Sequence, residues 1–286
     1  MGTSIRVSMP AHVFTGTYAE RAFQELSLVD RTLTAHNEDS ELMQFNAQAG
    51  SWYAAGPALL TVASAAVRLG HLSEGALDVT VLPAMRRFGF LPGISPSDAG
   101  IDFTQLETMD GSVRLSSASA GVDFGGIAKG FGVDEAVRAL KAQGVTSGLV
   151  DAGGDLYAMG RPEQDRPWTV GIRHPERADE LVATLQVEDS AVATSGTYMQ
   201  QRTVDGQTVS HLMDPRTGRP VHHVVSATIV APDAMTADAL ATATSVLPIA
   251  ASVELVRRLP GVEGFWILEN GSHTVSPGLK NTLRIL

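Results

Sequence analysis

The order of strand and helix patterns limits the possible folds of this chain more than any other feature of its sequence. Strand patterns outnumber helix patterns, and the two do not alternate regularly. A doubly wound parallel fold needs that alternation, so the sequence favours an α+β fold with largely antiparallel sheets packed by helices. Strands are predicted at 3–9, near 112–116 and 120–124, on both sides of a glycine break within 147–159, at 168–173, 181–187, 208–213, 223–231 and 263–268, and near the C-terminus.

Helices are predicted where apolar residues recur with a period near 3.6. For the first helix, Thr17 and Glu20 have the spacing of a capping box. No repeat or linker-like change of composition divides the chain, so a single domain over residues 1–286 is expected. The predicted helices are 17–32, 57–73, 128–143, 234–247 and 250–259.

Composition excludes several classes of protein. The 31 acidic and 21 basic residues give a net charge of −10, which repels nucleic-acid backbones, so no nucleic-acid partner is expected. The chain has no cysteine, which excludes disulfides, thiolate metal sites and a thiol nucleophile. No apolar run is long enough for a membrane span, and the N-terminus does not resemble a signal peptide. A cytoplasmic protein is expected, and an exported protein whose leader was removed would have the same sequence.

The segment 123–130 (DFGGIAKG) leads from a predicted strand into a predicted helix. Gly125 and Gly126 allow a ligand to approach the backbone, and the following helix N-terminus favours an anion. Lys129 lies in the first helical turn, where the helix dipole disfavours a cation, and a bound phosphate relieves that conflict. A tight turn with a solvated lysine explains the same residues equally well.

Two further segments contain groups suited to catalysis. Asp238 and Thr242 are four residues apart and share a helix face, which suits Mg²⁺, although a capping aspartate and a surface threonine are the simpler interpretation. His211, Asp214 and Arg216 surround a turn in the segment 211–220 (HLMDPRTGRP). Histidine exchanges protons near neutral pH and arginine binds phosphate, but a hairpin with Asp214 paired to Arg216 is an equal alternative.

Two glycine-containing turns complete the set of candidates. Thr194, Ser195 and Gly196 place hydroxyls beside a glycine, as many ordinary loops do. Gly153, Gly154 and Asp155 lie between two predicted strands, where a tight turn or bulge is the simpler interpretation. Taken singly, neither segment indicates a function.

Taken together and in order, these segments resemble the ApbE family of flavin transferases. The resemblance covers nearly the whole chain and depends on the joint order of the motifs. It implies an α+β fold related to the T-fold. The matching segments include 39–46 (DSELMQFN), 77–90 (LDVTVLPAMRRFGF), 122–136 (VDFGGIAKGFGVDEA), 149–160 (LVDAGGDLYAMG), 168–175 (WTVGIRHP), 192–198 (VATSGTY), 211–221 (HLMDPRTGRPV) and 231–243 (APDAMTADALATA).

The resemblance implies an enzyme that uses Mg²⁺, or alternatively Mn²⁺, to cleave FAD at its pyrophosphate. Such an enzyme attaches FMN to a Thr or Ser hydroxyl of a target flavoprotein and releases AMP. The same resemblance implies metal ligation by Asp238 and Thr242, with backbone carbonyls near Ala128 and Ala241, and catalysis by His211 with Lys129, Asp214 and Arg216. It implies FAD binding by Asn46, Asp78, Gly125, Gly126, Lys129, Gly153, Gly154, Asp155, Thr194, Ser195 and Gly196.

Two other functions remain open at the level of sequence. The same groups would serve an FAD diphosphatase that uses water as the acceptor and forms FMN and AMP. A non-catalytic flavin-binding or delivery protein is the third possibility, although pure binding gives no reason for a histidine next to a metal site.

Overall fold

The computed structural model describes residues 2–94, 100–163, 166–177 and 179–286. Its helices confirm the helical patterns, with ends that differ from the expected ones by a residue or two, and add two short helices. In chain order the helices are α1 (Gly16–Leu33), α2 (Glu41–Ala47), α3 (Pro57–Leu72), α4 (Leu82–Arg87), α5 (Ala128–Ala142), α6 (Ala234–Val246) and α7 (Ile249–Arg257).

The strands form one large sheet and several small ones. In chain order they are β1 (Ile5–Ser8), β2 (Trp52–Ala54), β3 (Leu106–Met109), β4 (Ser112–Leu115), β5 (Gly148–Ala152), β6 (Asp155–Met159), β7 (Trp168–Arg173), β8 (Leu181–Val187), β9 (Ser190–Gly196), β10 (Gln201–Val204), β11 (Gln207–Ser210), β12 (Met213–Asp214), β13 (Arg219–Pro220), β14 (Val224–Ala231), β15 (Glu263–Leu268), β16 (His273–Val275) and β17 (Leu283–Ile285).

The large sheet has the order β1-β5-β6-β9-β14-β15-β16, and its described pairings are antiparallel. Smaller antiparallel sheets have the orders β2-β4-β3 and β17-β8-β7, and β10-β11 and β12-β13 are hairpins. The α+β fold with antiparallel sheets packed by helices is therefore confirmed.

Alternation along the strands of the large sheet separates its two faces. On β15, Trp266 packs into an apolar cluster with α5 and α6, whereas Phe265 and Ile267 pack into a second cluster with β7 and β8. A third cluster joins α3 and α4 to the β2-β4-β3 sheet. The helices α5 and α6 thus lie on one face of the large sheet, with their N-terminal ends near β6 and β9.

Three local predictions are wrong. The segment 120–124 is not a strand, because its backbone pairs with an asparagine side chain and with Val79 rather than with another strand. The first helix begins at Gly16 after Thr15, so Thr17 and Glu20 form no capping box. The strand predicted at 208–213 is two strands, β11 and β12, and His211 lies in the break between them.

The described helices include none that combines the length and apolar composition needed to cross a membrane.

Candidate active site

The N-terminal ends of α5 and α6 are joined by carboxylates that each helix contributes to the other. Asp134 of α5 accepts hydrogen bonds from the backbone N–H groups of Ala234 and Met235, at 2.8 and 2.9 Å. Asp238 of α6 accepts one from the N–H of Gly130 at 3.0 Å. Because the first N–H groups of a helix have no partners within it, this exchange fixes the two helix ends against each other.

Gly130 is required where the two helices meet. A Cβ atom at this position would lie 2.1 Å from the carbonyl oxygen of Ala234, which is far inside van der Waals contact. Glycine therefore permits the close approach that brings Asp238 to the first turn of α5.

Lys129, Asp155 and Asp238 form a cluster that we call the charge centre. The Nζ atom of Lys129 lies 2.7 Å from Oδ2 of Asp155 and 3.0 Å from Oδ1 of Asp238. Both carboxylates are buried, with 2% and 1% of their surfaces exposed. The solvated lysine considered from the sequence is therefore wrong, because two carboxylates offset the unfavourable helix dipole at this position.

The electrostatics of the charge centre follow from burial and close opposite charge. Burial raises the pKa of Asp155, while the neighbouring Lys129 ammonium lowers it. Burial opposes the charge on Lys129, but Asp155 and Asp238 outweigh it and raise the pKa of Lys129. The lysine therefore stays charged throughout the physiological range.

Hydroxyl groups from β9 and α6 surround the charge centre. Oγ1 of Thr242 lies 3.4 Å from Oγ of Ser195 and 3.5 Å from the carbonyl oxygen of Gly126. The backbone N–H of Thr194 donates to Asp155 at 3.3 Å. The structure thus brings the segments around 126, 155, 195 and 242 together, as the sequence motifs predicted.

The glycine pair before Asp155 forms a tight turn. Gly153 and Gly154 have φ angles of 71° and 100°, which favour glycine, and the N–H of Gly154 donates to Asp151 at 2.8 Å. The turn reverses the chain from β5 into β6, so that Asp155 opens β6 with its carboxylate toward Lys129.

The oxygen ligands beside the charge centre fit a hard divalent cation. The carboxylate of Asp238 and the hydroxyl of Thr242 are the ligand types that Mg²⁺ takes. The carbonyl of Ala241 accepts a hydrogen bond from Oγ of Ser245 at 2.8 Å, and ligation by Ala128 and Ala241 stays a prediction. Within the described ranges, no group of three or more His, Cys, Asp or Glu residues has metal-binding geometry.

Asn46 holds the segment that leads into α5, and Asp78 holds the short turn at Thr80. The side-chain amide of Asn46 donates to the carbonyl of Val122 at 2.9 Å and accepts from its N–H at 2.8 Å. Asp78 is buried and accepts from the backbone N–H and the hydroxyl of Thr80, at 2.7 and 2.6 Å. Burial raises the pKa of Asp78. Both side chains position backbone here, and their contact with a flavin stays a prediction.

His211 lies between β11 and β12, half-buried beside Phe90, whose ring centroid is 6.4 Å away. Nδ1 of its ring is 3.3 Å from the carbonyl oxygen of Gln200. Burial lowers the pKa of His211 to about 4, and the charge on Lys129 acts in the same direction. The ring is therefore neutral near neutral pH, and a catalytic role for His211 stays a prediction.

Asp214 and Arg216 form the hairpin pair that was one of the two sequence interpretations. Nε and Nη2 of Arg216 bind the two carboxylate oxygens at 2.9 and 3.0 Å. Among the residues that the structure describes, neither side chain has a hydrogen bond or ion pair with the charge centre. A catalytic role for this pair stays a prediction.

Sequence reasoning missed Asp134, which fixes α6 against α5. Its partners lie about a hundred positions further along the chain, and nothing in the local pattern distinguishes it from a solvated helical aspartate. Only the knowledge that α5 and α6 meet at their N-terminal ends would have indicated it.

Comparison with known proteins identifies the family of this chain. The family model described as the ApbE family matches residues 1–266. The chain belongs to the ApbE family. A relative from Salmonella typhimurium, named FAD:protein FMN transferase, is 31% identical in an alignment of 296 positions that covers 95% of this chain and 83% of the relative. A relative of the same name from Vibrio cholerae is 34% identical in an alignment of 264 positions that covers 86% of this chain and 79% of the relative.

Solved structures of ApbE proteins share the fold. The ApbE protein of Thermotoga maritima is similar with a TM-score of 0.88 and 29% identity, covering 99% of this chain and 96% of that one. The flavin transferase ApbE of Vibrio cholerae is similar with a TM-score of 0.85 and 30% identity, with the same coverage.

Proposed function

We propose that this ApbE-family chain is an FAD:protein FMN transferase that releases AMP and depends on Mg²⁺ or Mn²⁺. The acceptor is a Thr or Ser hydroxyl of a target flavoprotein. The single observation that supports this most is the convergence of Lys129, Asp238 and Thr242 beside the glycine turn at 125–126. Relatives along almost the whole chain carry the name of this activity.

The charge centre suits the diphosphate of FAD. Asp238 and Thr242 would hold the divalent cation, which neutralises negative charge on the diphosphate when bound. Because Lys129 lies between two carboxylates, the charge centre would need that divalent cation to attract the diphosphate, and the backbone of residues 125–130 supplies N–H groups beside it. Transition states of phosphoryl transfer are stabilised mainly by positioning and charge, which these groups supply.

His211 is the proposed group that acts on the acceptor hydroxyl. A neutral imidazole accepts a hydrogen bond from this hydroxyl and orients its oxygen toward the FMN phosphorus. As the new phosphorus–oxygen bond forms, the bond from phosphorus to the bridging oxygen breaks and AMP leaves with that oxygen. The hydroxyl proton passes to His211, which a pKa of about 4 makes a weak base that works best late in bond formation.

An FAD diphosphatase is the alternative that the same charge centre supports, with water in place of the hydroxyl. Incubation with FAD and Mg²⁺, with and without the acceptor protein, separates the two. Flavin fluorescence that migrates with the denatured acceptor band indicates transfer, whereas FMN and AMP formed without an acceptor indicate hydrolysis. Tight FAD retention with no AMP under either condition would indicate a binding or delivery protein.

The decisive variant is Asp238→Asn, which keeps the shape of the side chain and removes its charge. AMP release with FAD, Mg²⁺ and acceptor should fall by at least about a hundredfold. The matched control is Asp233→Asn in the same helix, which keeps an N-cap residue and should retain activity. Near-normal AMP release by Asp238→Asn, with unchanged circular dichroism, would refute the assignment.

A further inference from the structure

Three arginines lie close together at the outer edge of the site, and we call them the arginine rim: Arg87, Arg202 and Arg219. The position of a Cβ atom at Gly218, next to Arg219, lies 3.9 Å from Nη1 of Arg87. The position of a Cβ atom at Gly89, two residues after Arg87, lies 3.8 Å from Nη1 of Arg202. The end of α4 and the hairpins β10-β11 and β12-β13, which carry these exposed residues, are therefore neighbours.

Within the described residues, no carboxylate neutralises the charges of the arginine rim. All three residues are exposed, and in the part of the chain that the structure describes none has a carboxylate within ion-pair distance. Elsewhere exposed arginines commonly have such a partner, as in Arg138–Glu135, Arg177–Glu180 and Arg257–Glu254. The arginine rim thus groups three exposed cations without a described partner on a chain whose net charge is −10.

The arginine rim adjoins the histidine that we assign to the acceptor hydroxyl. The guanidinium carbon of Arg202 lies 5.9 Å from the ring centroid of Phe90, and the same ring is next to His211. The protein that brings the hydroxyl to His211 must therefore pass over or beside these arginines. The charge of Lys129, in contrast, is matched by the buried Asp155 and Asp238.

We propose that the arginine rim docks an acidic face of the acceptor flavoprotein, next to its acceptor hydroxyl. This inference rests on the proposed function. Complementary charge raises the rate of encounter and fixes orientation, and here it also offsets the repulsion between this acidic chain and an acidic partner. FAD is the less suitable occupant, because its diphosphate is assigned to the charge centre.

The test compares the variant Arg87→Glu/Arg202→Glu/Arg219→Glu with Arg31→Glu/Arg68→Glu/Arg284→Glu. The control changes the net charge equally at three exposed arginines that also have no ion-pair partner in the described residues. The probes are two dye-labelled peptides with a central threonine, flanked by aspartates in one and by asparagines in the other. Binding is measured by anisotropy with saturating FAD and no Mg²⁺.

At low salt the unmodified chain should bind the aspartate peptide at least about tenfold more tightly than the asparagine peptide. The rim variant should lose this preference and the control variant should retain most of it. Near 1 M salt the preference should disappear, because the screening length falls to about 3 Å. FAD affinity and acceptor-independent AMP release should be the same in all three proteins.

Three results would overturn the docking inference: equal binding of the two peptides, equal behaviour of the rim and control variants, or weakened FAD binding in the rim variant. Failure of the proposed function has a different signature, since the unmodified chain would then form no AMP and label no acceptor whatever its peptide preference.

Discussion

The charge centre and the arginine rim are both built from charged side chains, but in opposite surroundings. In the charge centre, a lysine and two aspartates come from different elements, are largely buried, and pair with one another. In the rim, arginines are exposed and lack carboxylate partners among the described residues, and the neighbouring Asp214 pairs only with Arg216, two positions away. The contrast separates charges that the fold requires from charges that remain available to another molecule.

The largest effect is expected from Gly130→Ala, which breaks the contact that assembles the charge centre. The added methyl group would overlap the backbone of Ala234, which has no flexible side-chain end to move aside. We expect a loss of more than about 3 kcal/mol in the free energy of unfolding, or no folding at all. Urea unfolding followed by circular dichroism measures it.

The control is Gly16→Ala at the first residue of α1, where a Cβ atom meets nothing within 4 Å. This change should leave stability unchanged or raise it by up to about 1 kcal/mol. Equal stability of the two alanine variants would contradict the close packing of α5 on α6.

Lys129→Met should have the next largest effect, because it leaves Asp155 and Asp238 buried side by side without a cation. Breaking a buried pair in this way costs about 3–5 kcal/mol. The deficit should shrink as the pH falls: burial already raises the pKa of Asp155, loss of Lys129 raises it further, and the folded state then binds a proton that the unfolded state does not.

Thermal unfolding between acidic and mildly basic pH checks this, with Lys280→Met as the exposed control that should be nearly neutral. A deficit that grows toward low pH would contradict the proposed electrostatics of the charge centre.

His211→Gln should reduce flavin transfer by about a hundredfold while the melting temperature stays close to that of the unmodified chain. The ring of His211 is held by a 3.3 Å contact with the carbonyl oxygen of Gln200 and by Phe90, so its replacement should affect turnover rather than folding. Initial rates of acceptor labelling and a melting curve separate the two quantities.

The pH profile of kcat/KM sharpens this assignment. A basic form of His211 is present above its lowered pKa, so the acidic limb that it causes should lie near pH 4 and be absent in His211→Gln. A limb near pH 6.5 that disappears in the variant would show that the histidine is not desolvated as described.

Arg216→Ala should have the smallest effect. Its pair with Asp214 is largely exposed on the arginine side, and exposed pairs contribute less than about 1 kcal/mol. Urea unfolding measures it. A loss as large as that of Lys129→Met would remove the contrast between the two regions.

Much of the fold was predictable because the spacing of apolar residues in the sequence matches the periods of its helices and strands. The helices α5 and α6 and the strands β14 and β15 lie within a residue or two of their predicted ranges. The segment 120–124 shows the limit of that approach. Its pattern resembles a strand, but its hydrogen bonds go to the side chain of Asn46 and to Val79, which only tertiary structure brings near.

The residues that form the site were easier to predict than the interactions between them. The motifs indicated that Asp238 and Thr242 would meet residues 125–130, and they do. The pairing of Lys129 with Asp155 was not predictable, because it depends on the position of β6 in the sheet. The neutral state of His211 was also missed, since burial of a side chain cannot be judged from a single loop.

The exchange of carboxylates between α5 and α6 has a consequence for motion. Opening the first two turns of one helix removes a hydrogen-bond acceptor from the other, so the amides of Gly130, Ala234 and Met235 should become accessible to deuterium in one concerted event. Hydrogen exchange at these three positions would then proceed at a common rate, slower than at the frayed start of α1, where no side chain caps the helix. The fraction of molecules in which the charge centre is assembled would follow the same opening equilibrium.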